Sequence, residues 1–500
     1  MFKATIVKSA LILTLANIIT RLLGFFYRIF MSNALGAEGM GLYQLISPIY
    51  MLVWAFTSAG LSTSVSKLSA EQRARGDLGN MKRLLITALL TALVLSLFAS
   101  LGVYSLSPYI CTHFLKDKRT ILSLKILSLC FPFMAVGSCV RGWFYGMQNT
   151  AVPAKSQVLE QCTRMAVVYI LSFSMLDKGI ESACAMAVIG MVMGEVIACI
   201  YALTAILLNK KYFNHKPLIS YYKAGMLLFA LAFPLTLNRI TATLLVGIEN
   251  FLIPSKLQLF GLTRGEAVGL YGQLCGMAMP LIMFPSSLLT ALATALMPAV
   301  SEAGARGSIS NISSAVEKSL AFTAVVGIGT AGLFLTLPCE IGKVVYNQTE
   351  IGYMLRLLGI VCPFIYLQVT LSGILNGLGK QLYIFIVNLI SSIFNIGFIC
   401  LFVPKYGIEA YIFGWFISAC AVAVLSLTVT LNCIRLRLYL NNLILKPVVA
   451  IALSCLSLRF LTRDISLFSV TGLICSAAFI GGMYILLISL FGILPNKKII

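Results

Sequence analysis

The sequence predicts an all-α protein that crosses a membrane many times, and three observations support that fold class. Of its 500 residues, 59% are hydrophobic and only 11% are charged, whereas soluble domains carry about 25% charged residues. Mean hydropathy is +0.97. Apolar runs near the ~20 residues a bilayer requires recur along the whole chain, and the short alternating segments of a membrane β-barrel are absent.

Cutting at Gly, Pro and charge clusters gives about fourteen transmembrane helices. They run over 9–31, 41–66, 84–107, 121–147, 156–176, 183–208, 222–251, 269–297, 317–337, 354–378, 381–403, 407–432, 446–461 and 467–491. Lys3 and Lys8 before an apolar run resemble the start of a signal peptide. That run continues through Arg21 to Met31 without a small-residue cleavage site, so it reads as a retained first span. The 37 Lys and Arg residues gather in short loops. Twenty fall on the side holding the N-terminus and eleven on the other, so both termini are expected in the cytoplasm of a multi-pass cell-membrane protein. The net charge of +21 then reflects loop bias and anionic lipid, and a nucleic-acid partner is not expected.

An internal repeat organises these spans. Gly41-Leu42-Tyr43 recurs as Gly269-Leu270-Tyr271, and Ala74-Arg75-Gly76 recurs as Ala305-Arg306-Gly307. Pro132-Phe133 recurs as Pro363-Phe364, and Gly142/Gly146 as Gly373/Gly377, all at offsets of 228 to 231. Each copy holds six spans, an even number, so two parallel six-helix lobes are expected, related by an axis along the membrane normal with a cavity between them. The expected divisions are 1–215 for the N-lobe (helices one to six), 216–440 for the C-lobe (helices seven to twelve) and 441–500 for two additional C-terminal helices.

The first span carries the least affordable residues. Arg21 and Arg28 lie seven positions apart, close to two helical turns, which puts both guanidiniums on one face about 10 Å apart. Asn17 and Gly24 share that face. An arginine near the bilayer centre costs from ~2.5 kcal/mol to over 10, so the stripe should look into a protected, wet interior. Glu160 and Arg164 stand in the favoured i,i+4 order between Gln157 and Gln161. They are either a self-neutralised pair or part of a cavity wall. Arg141 either snorkels to the headgroups or faces inward. Arg239 lies deep in the seventh span. Glu160, Glu195 and Glu249 are candidates for ion coupling, Glu249 lying near a span end. The deep cations are all arginine, which holds its charge and grips phosphate oxygens in a bidentate fork. An anionic substrate follows, with Arg21, Arg28, Arg164, Arg239, Asn17 and Glu160 as its candidate binding residues.

Other chemistry is poorly supplied. The 14 cysteines are scattered singly and only His113 and His215 are present, so neither a disulfide framework nor a metal site is expected, and no cofactor or catalytic residue is assigned. Gly327-Ile328-Gly329-Thr330-Ala331-Gly332 matches a dinucleotide fingerprint, but it lies inside an apolar span with no preceding strand, so helix packing is its expected role. No loop is long enough for a catalytic domain, which weighs against a membrane glycosyltransferase or polymerase.

The segments T-R-L-L-G-F-F-Y-R, A-L-G-A-E-G-M-G-L-Y and R-G-W-F-Y-G-M-Q-N, with fourteen spans in a six-plus-six repeat, resemble the multidrug/oligosaccharidyl-lipid/polysaccharide (MOP) exporter superfamily. Within it, the chain looks most like polysaccharide biosynthesis proteins of the stage V sporulation protein B type, relatives of the lipid II flippases. The resemblance implies a V-shaped, non-enzymatic alternating-access transporter moving an undecaprenyl-diphosphate-linked saccharide, a peptidoglycan or polysaccharide precursor such as that of spore cortex. It also implies membrane lipids and cell-wall synthesis enzymes as partners. First-helix arginines facing the cavity serve those flippases, a role that falls here on Arg21 and, one position displaced, Arg28. Their acidic partner is missing after Arg28, where Ile29 and Phe30 follow, and Glu160 is its nominated substitute. The competing function is a cation-coupled multidrug exporter of the same fold.

Overall fold

The computed structural model describes residues 2–208, 217–305, 309–434, 436, 441–462 and 468–492. The described residues are 92% helical, with no strand among them. In a bilayer core, helices satisfy every backbone group within the segment, which long apolar runs with few turn residues encode directly.

The principal helices are α1 (Phe2–Trp54), α2 (Gly60–Ala74), α3 (Leu78–Tyr109), α4 (Ile121–Ser128), α5 (Phe131–Gly146), α6 (Ala151–Met175), α7 (Ile180–Leu208) and α8 (Tyr221–Leu259). They continue with α9 (Arg264–Gly272), α10 (Met279–Ala305), α11 (Ile309–Thr336), α12 (Pro338–Tyr346), α13 (Ile351–Gly377), α14 (Gln381–Cys433), α15 (Lys446–Leu461) and α16 (Val470–Leu490). By length and composition, 10 helical segments among the described residues qualify to cross a membrane, or 11 with the bent pair Lys118–Ser128 and Phe131–Gly146. The expected count of about fourteen is not reproduced by that test alone. Leu15–Ala74 and Gln381–Cys433 count once each at 60 and 53 residues, although ~1.5 Å per residue makes each more than twice the ~30 Å hydrocarbon core. Both break at a glycine of positive φ, Gly36 (φ 68°) and Gly407 (φ 68°). The fifth expected span, α6, carries Lys155, Glu160 and Arg164 and does not qualify as apolar.

Two compact units emerge. Unit 1 comprises Met1–Ser255 and Arg264–Gly272, and unit 2 comprises Lys256–Thr263 and Gln273–Ile500. Most of α8 packs with unit 1. Ala224, Leu228 and Ala232 join Leu84, Ala88, Trp143 and Phe144 in one buried cluster, and Gly60 is pressed against Ala232 and Thr236.

Small residues set the helix spacing, as expected where apolar lipid gives no hydrophobic drive to associate. A Cβ on Gly142 or Gly146 of α5 would run into the Ser62 or Ser66 carbonyl of α2. In unit 2, a Cβ on Gly373 of α13 would fall 2.6 Å from Ala293 Cβ, and one on Gly377 2.7 Å from the Met297 carbonyl oxygen, both on α10. The repeated glycine pairs thus notch equivalent helix pairs in the two copies. The glycines of the false dinucleotide motif do the same: Gly327, Gly329 and Gly332 receive Pro363, Tyr484 and Ile451. Of the orientation count, Lys210, Lys211, Lys216, Arg306, Arg435, Arg437, Arg463, Lys497 and Lys498 lie outside the described residues, as does Gly307 of the repeat.

Candidate functional site

Three sides of α1 have different surroundings. Ala16, Tyr27 and Met31 are buried at 7%, 5% and 1% exposure. Leu15, Ile18, Ile19, Leu22 and Phe26 form an exposed apolar side. At 100° per residue, Asn17, Arg21 and Arg28 fall roughly opposite that apolar side, and all three are exposed as well. Neither arginine forms an ion pair with a described residue. Gly24, on the same stripe, faces Gln161 of α6, whose Nε2 lies 3.9 Å from where a Cβ would be. The arginine stripe therefore borders the polar side of α6.

That polar side holds a tight pair. Arg164 Nη2 donates to Glu160 Oε1 at 2.6 Å, each side chain being 18% exposed. The pair is seated by two glycines of α7: a Cβ on Gly194 would lie 2.9 Å from the Glu160 carbonyl oxygen, and one on Gly190 3.1 Å from that of Arg164. Glu160 thus answers Arg164 on its own helix and does not supply the acid partner sought for Arg28. Around the pair, Tyr27 Oη, Gln157 Oε1, Gln161 Nε2 and Arg164 Nε are buried and make no hydrogen bond among the described residues. Tyr27 lies within the electrostatic reach of both Arg28 and Arg164.

A second pair lies deeper. Tyr50 Oη of α1 donates to Glu195 Oε1 of α7 at 2.8 Å. Glu195 Oε2 stands 4.0 Å from Arg141 Nη1 of α5, and neither of those two atoms has a hydrogen-bond partner among the described residues. Arg141 faces inward, with a side-chain exposure of 14%; it does not snorkel. Two carboxylates and two guanidiniums from α5, α6 and α7, with tyrosines from α1, give unit 1 a charge-balanced polar interior. Desolvating each ion costs several kcal/mol, which pairing offsets.

The other nominated residues stand apart. Arg239 is exposed on α8 with its guanidinium 5.7 Å from the Trp54 ring centroid, a cation–π arrangement. Glu249 is partly buried about 15 Å further along α8. Sequence reading missed Tyr27 and Tyr50, since a tyrosine in an apolar run has no period that marks it, and it left Arg141 undecided.

A helical bundle that buries paired charges among membrane-length helices has the build of a membrane transporter. Comparison with known proteins gives the family. Residues 6–304 match the family described as Polysaccharide biosynthesis protein, and residues 275–401 match the MatE family. Stage V sporulation protein B of Bacillus subtilis (strain 168) is 30% identical over 403 residues, covering 80% of this chain and 78% of its own. Lipid II flippase MurJ of the same organism is 24% identical, over 67% of this chain and 63% of its own. Among solved structures, lipid II flippase MurJ in an inward closed conformation superposes with a TM-score of 0.73 at 17% identity, over 96% of this chain and 99% of that one. An inward-facing MATE family multidrug resistance transporter gives 0.65 at 14% identity, over 82% and 93%. The chain belongs to the polysaccharide biosynthesis protein family of the MOP superfamily. It is a multi-pass membrane transporter.

Proposed function

We propose that this transporter is a flippase for an undecaprenyl-diphosphate-linked saccharide, working by alternating access with both termini cytoplasmic. Arg21, Arg28 and Asn17 are proposed to hold the diphosphate, Arg164 to extend that surface, and Arg239 to meet the substrate elsewhere on its path. The observation that carries this reading is the two-sided exposure of α1. Its apolar exposed side suits lipid tails, so the arginine stripe on the opposite side belongs to a different, polar environment. Unpaired guanidiniums there attract an anion, and their fork geometry matches phosphate oxygens. The unsatisfied donors of Gln161, Arg164 and Tyr27 beside the stripe extend the same chemistry. Relatives support it: two are named for sporulation and for lipid II flipping.

Glu195, reached by Tyr50 and Arg141, is proposed as the ion-coupling acid in preference to Glu160, which Arg164 already engages, and to the more distant Glu249. A second reading, a cation-coupled drug exporter, draws on the MatE match and would use the same acid. The test is headgroup translocation in proteoliposomes. Arg21→Ala is expected to slow it about ten- to hundred-fold, since a hydrogen bond to a charged group is worth about 1.5–3 kcal/mol. Unchanged flipping in Arg21→Ala and Arg28→Ala, with drug efflux lost in Glu195→Gln, would favour the exporter.

A further inference from the structure

Within unit 1, α8 runs antiparallel along the second half of α1 and the start of α2. Three contacts fix the register. Gly60 is pressed on the Ala232 carbonyl and Thr236, Arg239 stands over Trp54, and a Cβ on Gly247 would lie 3.5 Å from Pro48 Cβ. The helices therefore lie side by side over 48–60 of one and 232–247 of the other, about 18 Å at ~1.5 Å per residue. Directly after Trp54 the helix widens to a π-helical turn over Ala55–Ala59, a local break of the kind that frequently marks functional sites. Thr57 holds that turn by donating to the Val53 carbonyl at 2.8 Å and pairing with Ser58 at 2.9 Å.

Trp54 and Arg239 bound an open corner in this seam. Trp54 is only partly buried and Arg239 is exposed. Arg239 sits near the middle of the 39-residue α8, where a guanidinium is expensive in lipid, yet it forms no ion pair with a described residue. Its guanidinium carbon stands 5.7 Å from the indole centroid, near the ~6 Å limit of a cation–π contact. Arg83, by contrast, lies 3.8 Å from the Tyr221 ring centroid, in van der Waals contact. The indole thus keeps a free apolar surface beside an unspent set of donors. A pyranose ring matches both, since it presents an apolar face of C–H bonds and an edge of hydroxyls. The indole suits the first, and the five N–H donors of the guanidinium suit the second. An isoprenoid tail gains nothing from the guanidinium, and an organic cation is repelled by it.

We propose that Trp54 and Arg239 form the saccharide subsite of this transporter: the indole carries the C–H face of a hexopyranose, and the guanidinium donates to its hydroxyls. The inference deepens the flippase reading and rests on it, and two measurements separate their failures. Polyprenyl diphosphate bearing N-acetylglucosamine is compared with the same lipid lacking the sugar. In proteoliposomes, the wild-type KM for the sugar-bearing lipid is expected to lie about tenfold below that for the bare lipid. Trp54→Leu and Arg239→Gln should bring the two KM values together, and Trp54→Tyr should keep them apart. A wild-type KM ratio in Trp54→Leu or in Arg239→Gln overturns the subsite. Binding is read separately, as thermal stabilisation in detergent by each lipid. The sugar-bearing lipid should raise the melting temperature of wild type and Trp54→Tyr more than the bare lipid does, and that of Arg239→Gln equally. Equal stabilisation of wild type by the two lipids overturns the proposal. If wild type moves neither lipid, the flippase reading fails and the melts alone decide the subsite. If Trp54→Leu does not fold, Arg239→Gln decides both measurements.

Discussion

Arg164 donates to Glu160 across one turn of α6, whereas Arg21 and Arg28 meet no acid among the described residues, and this contrast separates paired from unpaired charge. Removing one partner of a buried pair leaves an uncompensated ion, at a cost of about 3–5 kcal/mol, while replacing both by apolar groups is often neutral. Glu160→Gln is therefore expected to lower thermal stability in detergent more than Glu160→Gln with Arg164→Met. A double variant no more stable than the single would show that the pair does not act as a unit. Outside the spans, burial alone would raise the Asp117 carboxyl pKa, but hydrogen bonds and charge from Arg119 and the charge of Arg264 outweigh it and hold it below its ordinary value. The native state thus binds fewer protons here than the unfolded chain. The stability Asp117 contributes is full at neutral pH and is lost as pH falls below about 4. Unfolding followed from pH 7 to pH 3 should show that acid limb, and Asp117→Asn should flatten it. At this scale the sequence was partly legible. Seven- and four-residue spacings exposed Arg21/Arg28 and Glu160/Arg164, because helix geometry alone relates them. Glu195 and Tyr50 are 145 positions apart, and no local period reveals such a pair.

Glycines govern the elements. Gly36 breaks the helix at φ 68°, ψ −176° with nothing within 4 Å of a would-be Cβ, so Gly36→Ala should cost the strain of a backbone region open essentially to glycine alone, about 1–3 kcal/mol. Gly373 has backbone φ typical of its helix but no room, and Gly373→Val should cost about 1–3 kcal/mol through overpacking against Ala293. Gly102 of α3 has open space, so Gly102→Ala should stabilise by up to about 1 kcal/mol through helix propensity. Thermal melts of the three variants would check the order, and a Gly373→Val protein as stable as wild type would contradict the notch. The repeated G-x-x-x-G pairs were readable because the same helix contact recurs at a fixed offset. The break at Gly36 was not, since one glycine in a helical run does not announce its φ. The run over 156–176 reads as a span, although Lys155, Glu160 and Arg164 lower the hydropathy of α6.

For the whole molecule, the helical class and the family followed from composition and from motifs spread along the chain. Most of α8 and all of α9 pack with unit 1, because packing answers to side-chain surfaces and not to the order of the chain. The central claim is that an arginine surface on α1 recognises a diphosphate. It is tested most directly by reconstituting the protein and comparing translocation of a polyprenyl-diphosphate-linked sugar with that of the same polyprenyl chain bearing the sugar without the diphosphate. The account predicts at least a tenfold preference for the diphosphate form, abolished in Arg21→Ala with Arg28→Ala. Equal rates for the two lipids in the wild-type protein would contradict it.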